Sequence, residues 1–401
     1  MIDERVVIPK DGSANDLRTS AMVFTRDGDA EGVIRRCLDN LSIPSAEYFN
    51  GGVDAAIAQL AKSASPRLLF VDVGGSDDPV MRIKDLAEVC EPGTGVIVIG
   101  DQNDIRLYRE LKHAGIVEYY FKPLVSTLIT QTAQGILTGS VEQTGSRTGR
   151  LVFILGVRGG VGATTIATSA VWQLAEVRQR RIVLLDLDLQ SGDAALQLDS
   201  APTHALREAL EHPERVDDLF LERATIRVTE RLSLMSSLEN IGETMVPGEE
   251  AVLSLLGTLM HRYRNVFVDI PMNIAPRMLR VLHLPSVLLL VSKASLVSAR
   301  EIARWREAIG PDSPERQTLH ILNQYGADGS LPDAEFARAA GQAPDITIPY
   351  DRDICISSNL GIKGVEKCLT VQRGLASVFR HITGEALEKR QSFFGRLLHA
   401  R

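Results

Sequence analysis

Apolar residues in this chain come in short runs separated by amphipathic stretches. Strand character begins at AMVFT, Ala21–Thr25, and returns in RLLFVDV (67–73), GVIVIG (95–100) and EYYFKP (118–123). Between these runs lie segments with apolar residues at helical spacing, such as DAAIAQLAKS (54–63) and DIRLYRELKHAG (104–115). Strands alternating with helices predict a parallel sheet covered on both faces. For the N-terminal part the expectation is a flavodoxin-like α/β domain over 20–136, preceded by a polar tail, 1–19. The segment LTGSVEQTGSRTGR (137–150) is rich in Thr, Gly and Ser and reads as a linker. A second alternation follows over 151–384. Its strands are LVFILG (151–156), RIVLLDLDLQ (181–190), RNVFVDIP (264–271), SVLLLVSK (286–293) and QTLHILNQY (317–325), with a helix in TTIATSAVWQLAEVRQ (164–179).

Composition narrows the class without naming it. The 401 residues are 44% hydrophobic and 24% charged, the balance of an ordinary globular protein. At two domains' length, the two alternations are the natural division. A net charge of -7 counts against a protein that coats nucleic acid. Cys37, Cys90, Cys355 and Cys368 are scattered with no C-x-x-C pair, which gives disulfide and zinc readings no footing and points to a reducing cytoplasm. No apolar run approaches the roughly 20 residues that span a bilayer, and no secretion signal is expected from the polar start.

Chemistry concentrates in GVRGGVGATT, Gly156–Thr165, which stands between a strand and a helix as a phosphate-binding loop requires. Its glycines let the backbone curl and aim N–H groups at phosphate oxygens, and the helix N-terminus adds its dipole. Thr164 occupies the hydroxyl position that ligates Mg2+ through a bound triphosphate. The loop departs from the standard in one place: Ala163 stands where a lysine would reach the β- and γ-phosphates. Losing one charge-assisted hydrogen bond weakens binding by ~1.5–3 kcal/mol. Losing one preorganised donor to the transition state lowers kcat by about 10²–10³. These magnitudes point to a protein that binds nucleotide and turns it over slowly.

The stretch RGGVGATT resembles the deviant Walker A motif of the MinD/ParA ATPases, whose usual form is KGGxGK[ST]. VLLDLDLQSGD (183–193) resembles the family's second carboxylate strand, VFVDIP its Walker B strand, ILNQ the strand whose Asn reads adenine, and IPYDRDICISSNLG (348–361) its closing segment beside the base. The resemblance implies ATP and Mg2+ as cofactors. Gly159, Gly160, Val161, Gly162, Ala163, Thr164 and Thr165 would cradle the phosphates, with Asn323 and Pro349 at the base. Thr164, Asp186 and Asp269 would hold the metal, and Asp188 would orient the attacking water. Arg158 takes the place of the signature lysine, which in this family reaches across a nucleotide-sandwich homodimer. After Asp269 the chain reads IPMN and lacks a glycine that many relatives place there.

The GATT loop, DLDLQSGD and a preceding receiver-like domain together resemble the CpaE/TadZ branch, which acts in assembly of tight-adherence (Flp-type) pili. That implies partners in the pilus assembly and secretion machinery and a place at the cell pole or the inner face of the membrane. The alternatives are an active ATPase that drives positioning and a ParA-like DNA-partition ATPase. In the first domain, Asp72 resembles a receiver's phospho-acceptor and Lys122-Pro123 its Lys-Pro. The acid pair is replaced by TRD (25–27) and the switch hydroxyl by Gly100, so the expectation is a pseudo-receiver used for docking. The C-terminal EKRQSFFGRLLHAR is basic and amphipathic, suited to an anionic membrane or to packing on protein.

Overall fold

Successive side chains of a strand point to opposite faces, so an unbroken apolar run fills two cores at once. Both halves of this chain are built that way. The computed structural model describes residues 21–43, 45–138, 149–178, 180–240, 242–243, 245–353 and 360–383. The expected N-terminal tail, most of the 137–150 segment, residues 354–359 of the closing segment and the basic C-terminal end lie outside the described residues. Contacts within the chain define two units, Met1–Ser146 and Arg147–Arg401.

In the first unit, β1 (Ala21–Thr25), β2 (Ala46–Asn50), β3 (Leu68–Asp72), β4 (Gly95–Gly100) and β5 (Glu118–Phe121) form one sheet in the order β2-β1-β3-β4-β5. Every pairing is parallel. This is the flavodoxin-like order, as expected. Met22, Phe24, Leu69 and Val71 pack with the helices Val53–Leu60, Pro79–Val89 and Ile105–His113. Val23, Leu68 and Phe70 face the helices Gly28–Asn40 and Ser126–Thr138. Three of these helices start on an Asp that accepts first-turn amides: Asp27, Asp78 and Asp104. β2 was not expected as a strand. It is an edge strand with Glu47 and Asn50 exposed, so no apolar run announces it.

The second unit holds an eight-stranded sheet. Its strands are β6 (Arg150–Gly156), β7 (Ile182–Asp186), β8 (Ile226–Arg227), β9 (Leu232–Met235), β10 (Asn265–Ile270), β11 (Ser286–Ser292), β12 (Arg316–Tyr325) and β13 (Ile346–Pro349). Their order is β13-β12-β11-β6-β10-β7-β9-β8, parallel except for β8 against β9. Leu151, Phe153 and Leu155 of β6 enter one core, and Val152 and Ile154 the other. Fully burying each such side chain contributes about 1.5–3 kcal/mol. β6 is therefore fixed from both sides, and with it the loop that follows. The helix Ala163–Trp172 continues into a π-helical turn, Gln173–Val177. Among the described residues no helix is long and apolar enough to cross a membrane.

Candidate functional site

The loop after β6 ends on Gly162, which caps the helix Ala163–Trp172 at φ 88° with no side-chain cap. Gly160 also has positive φ, 72°. The amides of Ala163, Thr164 and Thr165 are first-turn donors without helical acceptors, the arrangement that receives an anion. Gly162 has a second reason to be glycine: a Cβ there would lie 2.5 Å from Asn323 Nδ2. Asn323, buried on β12, donates from that nitrogen to the Val161 carbonyl at 2.8 Å. One of its amide hydrogens is thus committed to the loop backbone, and Oδ1 remains as an acceptor. Ala163 packs against the core of the helix and brings no charge to the loop. Arg158 is exposed, and among the described residues it has no ion-pair partner. Pro349 is exposed at the end of β13, opposite Tyr325 of β12.

On the next two strands of the sheet, β10 and β7, the carboxylates gather. Asp186 closes β7 and Asp269 lies beside it on β10, each the register partner of the other. Both are buried. Asp186 accepts from the amides of Asp188 (3.0 Å) and Ala194 (3.3 Å). Asp269 accepts a hydrogen bond from the Thr164 side chain. Neither forms an ion pair among the described residues. Burial and then the charge of Asp269 hold the Asp186 carboxyl well above the usual carboxylate range. Burial also raises Asp269, against the Thr164 bond and with help from Asp193 and Asp188, to about 7. Two buried carboxylates with no base between them are a pair that a divalent cation would neutralise. With Thr164 bonded to one of them, these residues fit Mg2+ next to a phosphate loop.

Asp188 is only partly buried. Its Oδ1 accepts from the Ser191 amide (2.9 Å) and its Oδ2 from the Ser191 hydroxyl (2.8 Å), so it also shapes the turn that follows β7. Sequence reasoning missed a relay behind this turn. The Thr168 hydroxyl, on the helix that carries Thr164 and Thr165, donates to Gln197 Oε1 at 2.8 Å. Gln197 Nε2 donates to Asp193 Oδ2 at 2.8 Å. The signal available was the acid five residues after Asp188 in LDLQSGD.

The first unit has its own polar cleft, about 160 Å³, lined by Arg26, Asp27, Gly52, Asp72, Gly74, Asp101 and Lys122. Asp72, at the end of β3, is buried, and Lys122 Nζ lies 2.9 Å from its Oδ2. Gly100 stands where a Cβ would come 2.6 Å from the Tyr119 hydroxyl, so the aromatic side chain occupies the space a side chain at position 100 would take.

Residues 150–305 match the family model for cellulose biosynthesis protein BcsQ. No curated protein matches the chain in sequence. Among solved structures, a ParA family ATPase from Chlorobium tepidum TLS is 21% identical, with 58% of this chain and 98% of that one covered and a TM-score of 0.50. The pilus assembly protein CpaE from Caulobacter crescentus CB15 is 29% identical, with 29% of this chain and 91% of that one covered and a TM-score of 0.27. The septum site-determining protein MinD from Pyrococcus horikoshii OT3, complexed with Mg-ADP, is 19% identical, with 57% and 97% covered and a TM-score of 0.43. In its sheet order, glycine loop and strand-end carboxylates, the second unit has the fold of the MinD/ParA-type ATPases.

Proposed function

We propose that the second unit binds Mg·ATP, that binding pairs two copies of the chain face to face, and that the pair positions the machinery assembling tight-adherence (Flp-type) pili, with slow turnover. One observation carries the nucleotide reading: Asp186 and Asp269 lie side by side, buried and without a basic partner, with Asp269 bonded to Thr164 of the loop helix. Bound Mg2+ would supply charge neutralisation for these carboxylates and the phosphates. Thr164, Asp186 and Asp269 would hold it, the amides of Gly159 to Thr165 would take phosphate oxygens, and Asp188 would orient water. Asn323 Oδ1 is free to accept from a base amine, with Pro349 beside the base. Slow turnover follows from Ala163, which provides no side-chain donor to charge growing on the phosphates.

Assignment to pilus assembly rests on the sequence resemblance of the GATT loop, DLDLQSGD and the domain order. In this reading the first unit docks partners. The protein works in the cytoplasm, at the pole or the inner membrane face, with the C-terminal end adding membrane contact.

A second reading is a true ATPase in which Arg158, acting from the partner copy, replaces the missing lysine. Its exposure and lack of an ion-pair partner favour that role, since a forked guanidinium free in solvent can reach a second molecule's phosphates. Steady-state turnover separates the two readings. A rate that stays low in the wild type and changes little in Asp188→Ala supports the slow positioning protein. A fast rate abolished by Asp188→Ala and by Arg158→Ala supports the ATPase.

A further inference from the structure

A phospho-accepting receiver needs a divalent cation beside its acceptor aspartate, and the residues around Asp72 do not fit one. Both Asp72 oxygens are engaged. Oδ1 accepts from the Gly74 amide at 2.8 Å, and Oδ2 from the Thr25 hydroxyl at 2.8 Å and from Lys122 Nζ at 2.9 Å. Asp27 commits Oδ1 to capping the helix Gly28–Asn40, through the amides of Asp29 and Ala30. Its Oδ2 lies 3.4 Å from Lys122 Nζ. Asp101 Oδ1 stands 3.1 Å from the same nitrogen. Among the described residues no group of three or more His, Cys, Asp or Glu is placed to hold a metal ion.

The stoichiometry is informative. An ammonium carries three N–H donors, and Lys122 meets three carboxylates drawn from the ends of three different strands. The backbone at Gly74 also lies close against two of the carboxylates: a Cβ there would be 2.5 Å from Asp101 Oδ2 and 2.9 Å from Asp72 Oδ1. Only 19% of the Lys122 side chain is exposed. Burial opposes its charge, but hydrogen bonds to Asp72 and Asp101 outweigh burial and raise its pKa, so it stays an ammonium.

We propose that Lys122 is the resident cation of this cleft: its ammonium holds Asp72, Asp27 and Asp101 together in place of a metal ion, and its removal turns the cleft into a divalent-cation site. In the wild type the first unit is then indifferent to Mg2+ and keeps a single arrangement. Without Lys122, three carboxylates face one another with no ammonium between them and only Arg26 as a cation along the cleft, and a divalent ion that accepts oxygen ligands relieves the repulsion.

The test counts Mn2+ bound to the full chain by electron paramagnetic resonance, without nucleotide. Lys122→Met should bind about one equivalent more than the wild type, and Lys122→Met/Asp72→Asn should lose it. A Lys122→Met protein that unfolds in chelator and refolds in Mn2+ supports the same conclusion. A folded Lys122→Met that binds no additional ion overturns it. Independently, Asp101→Asn in the wild-type background should leave the Mn2+ count unchanged. Asp101 is 56% exposed, so the substitution removes little buried contact. A loss of one equivalent there would mean that the native cleft already holds metal, and the resident-cation account would be wrong.

Discussion

Asp186 and Asp269 are cross-strand register partners at the ends of two adjacent parallel strands, both buried, with no base between them. Such a pair is costly when both are charged and stabilising only when a cation joins them. Burial holds both carboxyls above their usual range, Asp269 at about 7, so without a cation between them the pair retains a proton near neutrality. Metal ligands must be deprotonated, so binding Mg2+ with nucleotide releases protons. Calorimetry at pH 7 in two buffers of different ionisation enthalpy should give binding heats that differ, and affinity should fall as pH drops below about 7. For the empty protein the sign is opposite: a carboxyl raised in the fold stabilises at low pH, and that contribution is lost as pH rises through its folded pKa. Asp269→Asn should therefore raise the melting temperature of the nucleotide-free protein at pH 8, by ~2–4 °C per kcal/mol regained, while abolishing any effect of Mg·ATP.

Restoring the loop lysine should tighten binding. Ala163→Lys adds a charge-assisted hydrogen bond of ~1.5–3 kcal/mol, or roughly ten- to hundredfold in Kd for ATP. Equilibrium titration of wild type and variant under the same Mg2+ concentration measures it. An unchanged Kd would mean that the phosphates lie away from residue 163.

Gly162 and Asn323 should be energetically coupled. An alanine at φ 88° bears about 1–2 kcal/mol of backbone strain, and its Cβ displaces the Asn323 amide from Val161. Gly162→Ala should lower the melting temperature and weaken ATP binding. In an Asn323→Ala background the same change should cost less, because the clash is gone. A double-mutant cycle by thermal denaturation with no coupling would contradict the geometry.

This pair also marks what the sequence could and could not reveal. The glycine loop was legible because its spacing and its place between strand and helix are local. So were Asp186 and Asp269, since each ends an apolar run, and the largely parallel pairing in both sheets followed from the βα alternation. That Asn323 bonds Val161, 162 residues away, was not legible. Nor was the convergence of Asp27 and Asp101 on Lys122, or the link from Thr168 through Gln197 to Asp193. These depend on which strand ends become neighbours, and no local pattern encodes that. β2, β8 and β13 escaped because they are short edge strands whose apolar runs are broken, and β9, paired on both sides, escaped because its four residues are interrupted by Ser233.

His320 gives the second unit a pH limit on the acid side. It is fully buried on β12, with Nε2 2.8 Å from the Ser292 hydroxyl and Nδ1 without a partner among the described residues. Burial, with the nearby Arg306 charge, lowers its pKa from 6.5 to about 4. A histidine depressed in the fold contributes stability that is present above the unfolded pKa and lost as pH falls from about 6.5 to about 4, here about 3 kcal/mol. Chemical denaturation between pH 7 and pH 4 should show that loss, and His320→Gln should flatten it. Equal slopes in both proteins would count against the assignment.

The account stands or falls on whether a loop with alanine at position 163 still grips a nucleotide. The direct measurement is calorimetric titration of the full chain with Mg·ATP, with light scattering on the same samples. Saturable heat, accompanied by a doubling of molar mass that is absent with ATP alone in chelator, is the predicted result. No saturable heat at millimolar Mg·ATP, with the mass unchanged, would contradict it.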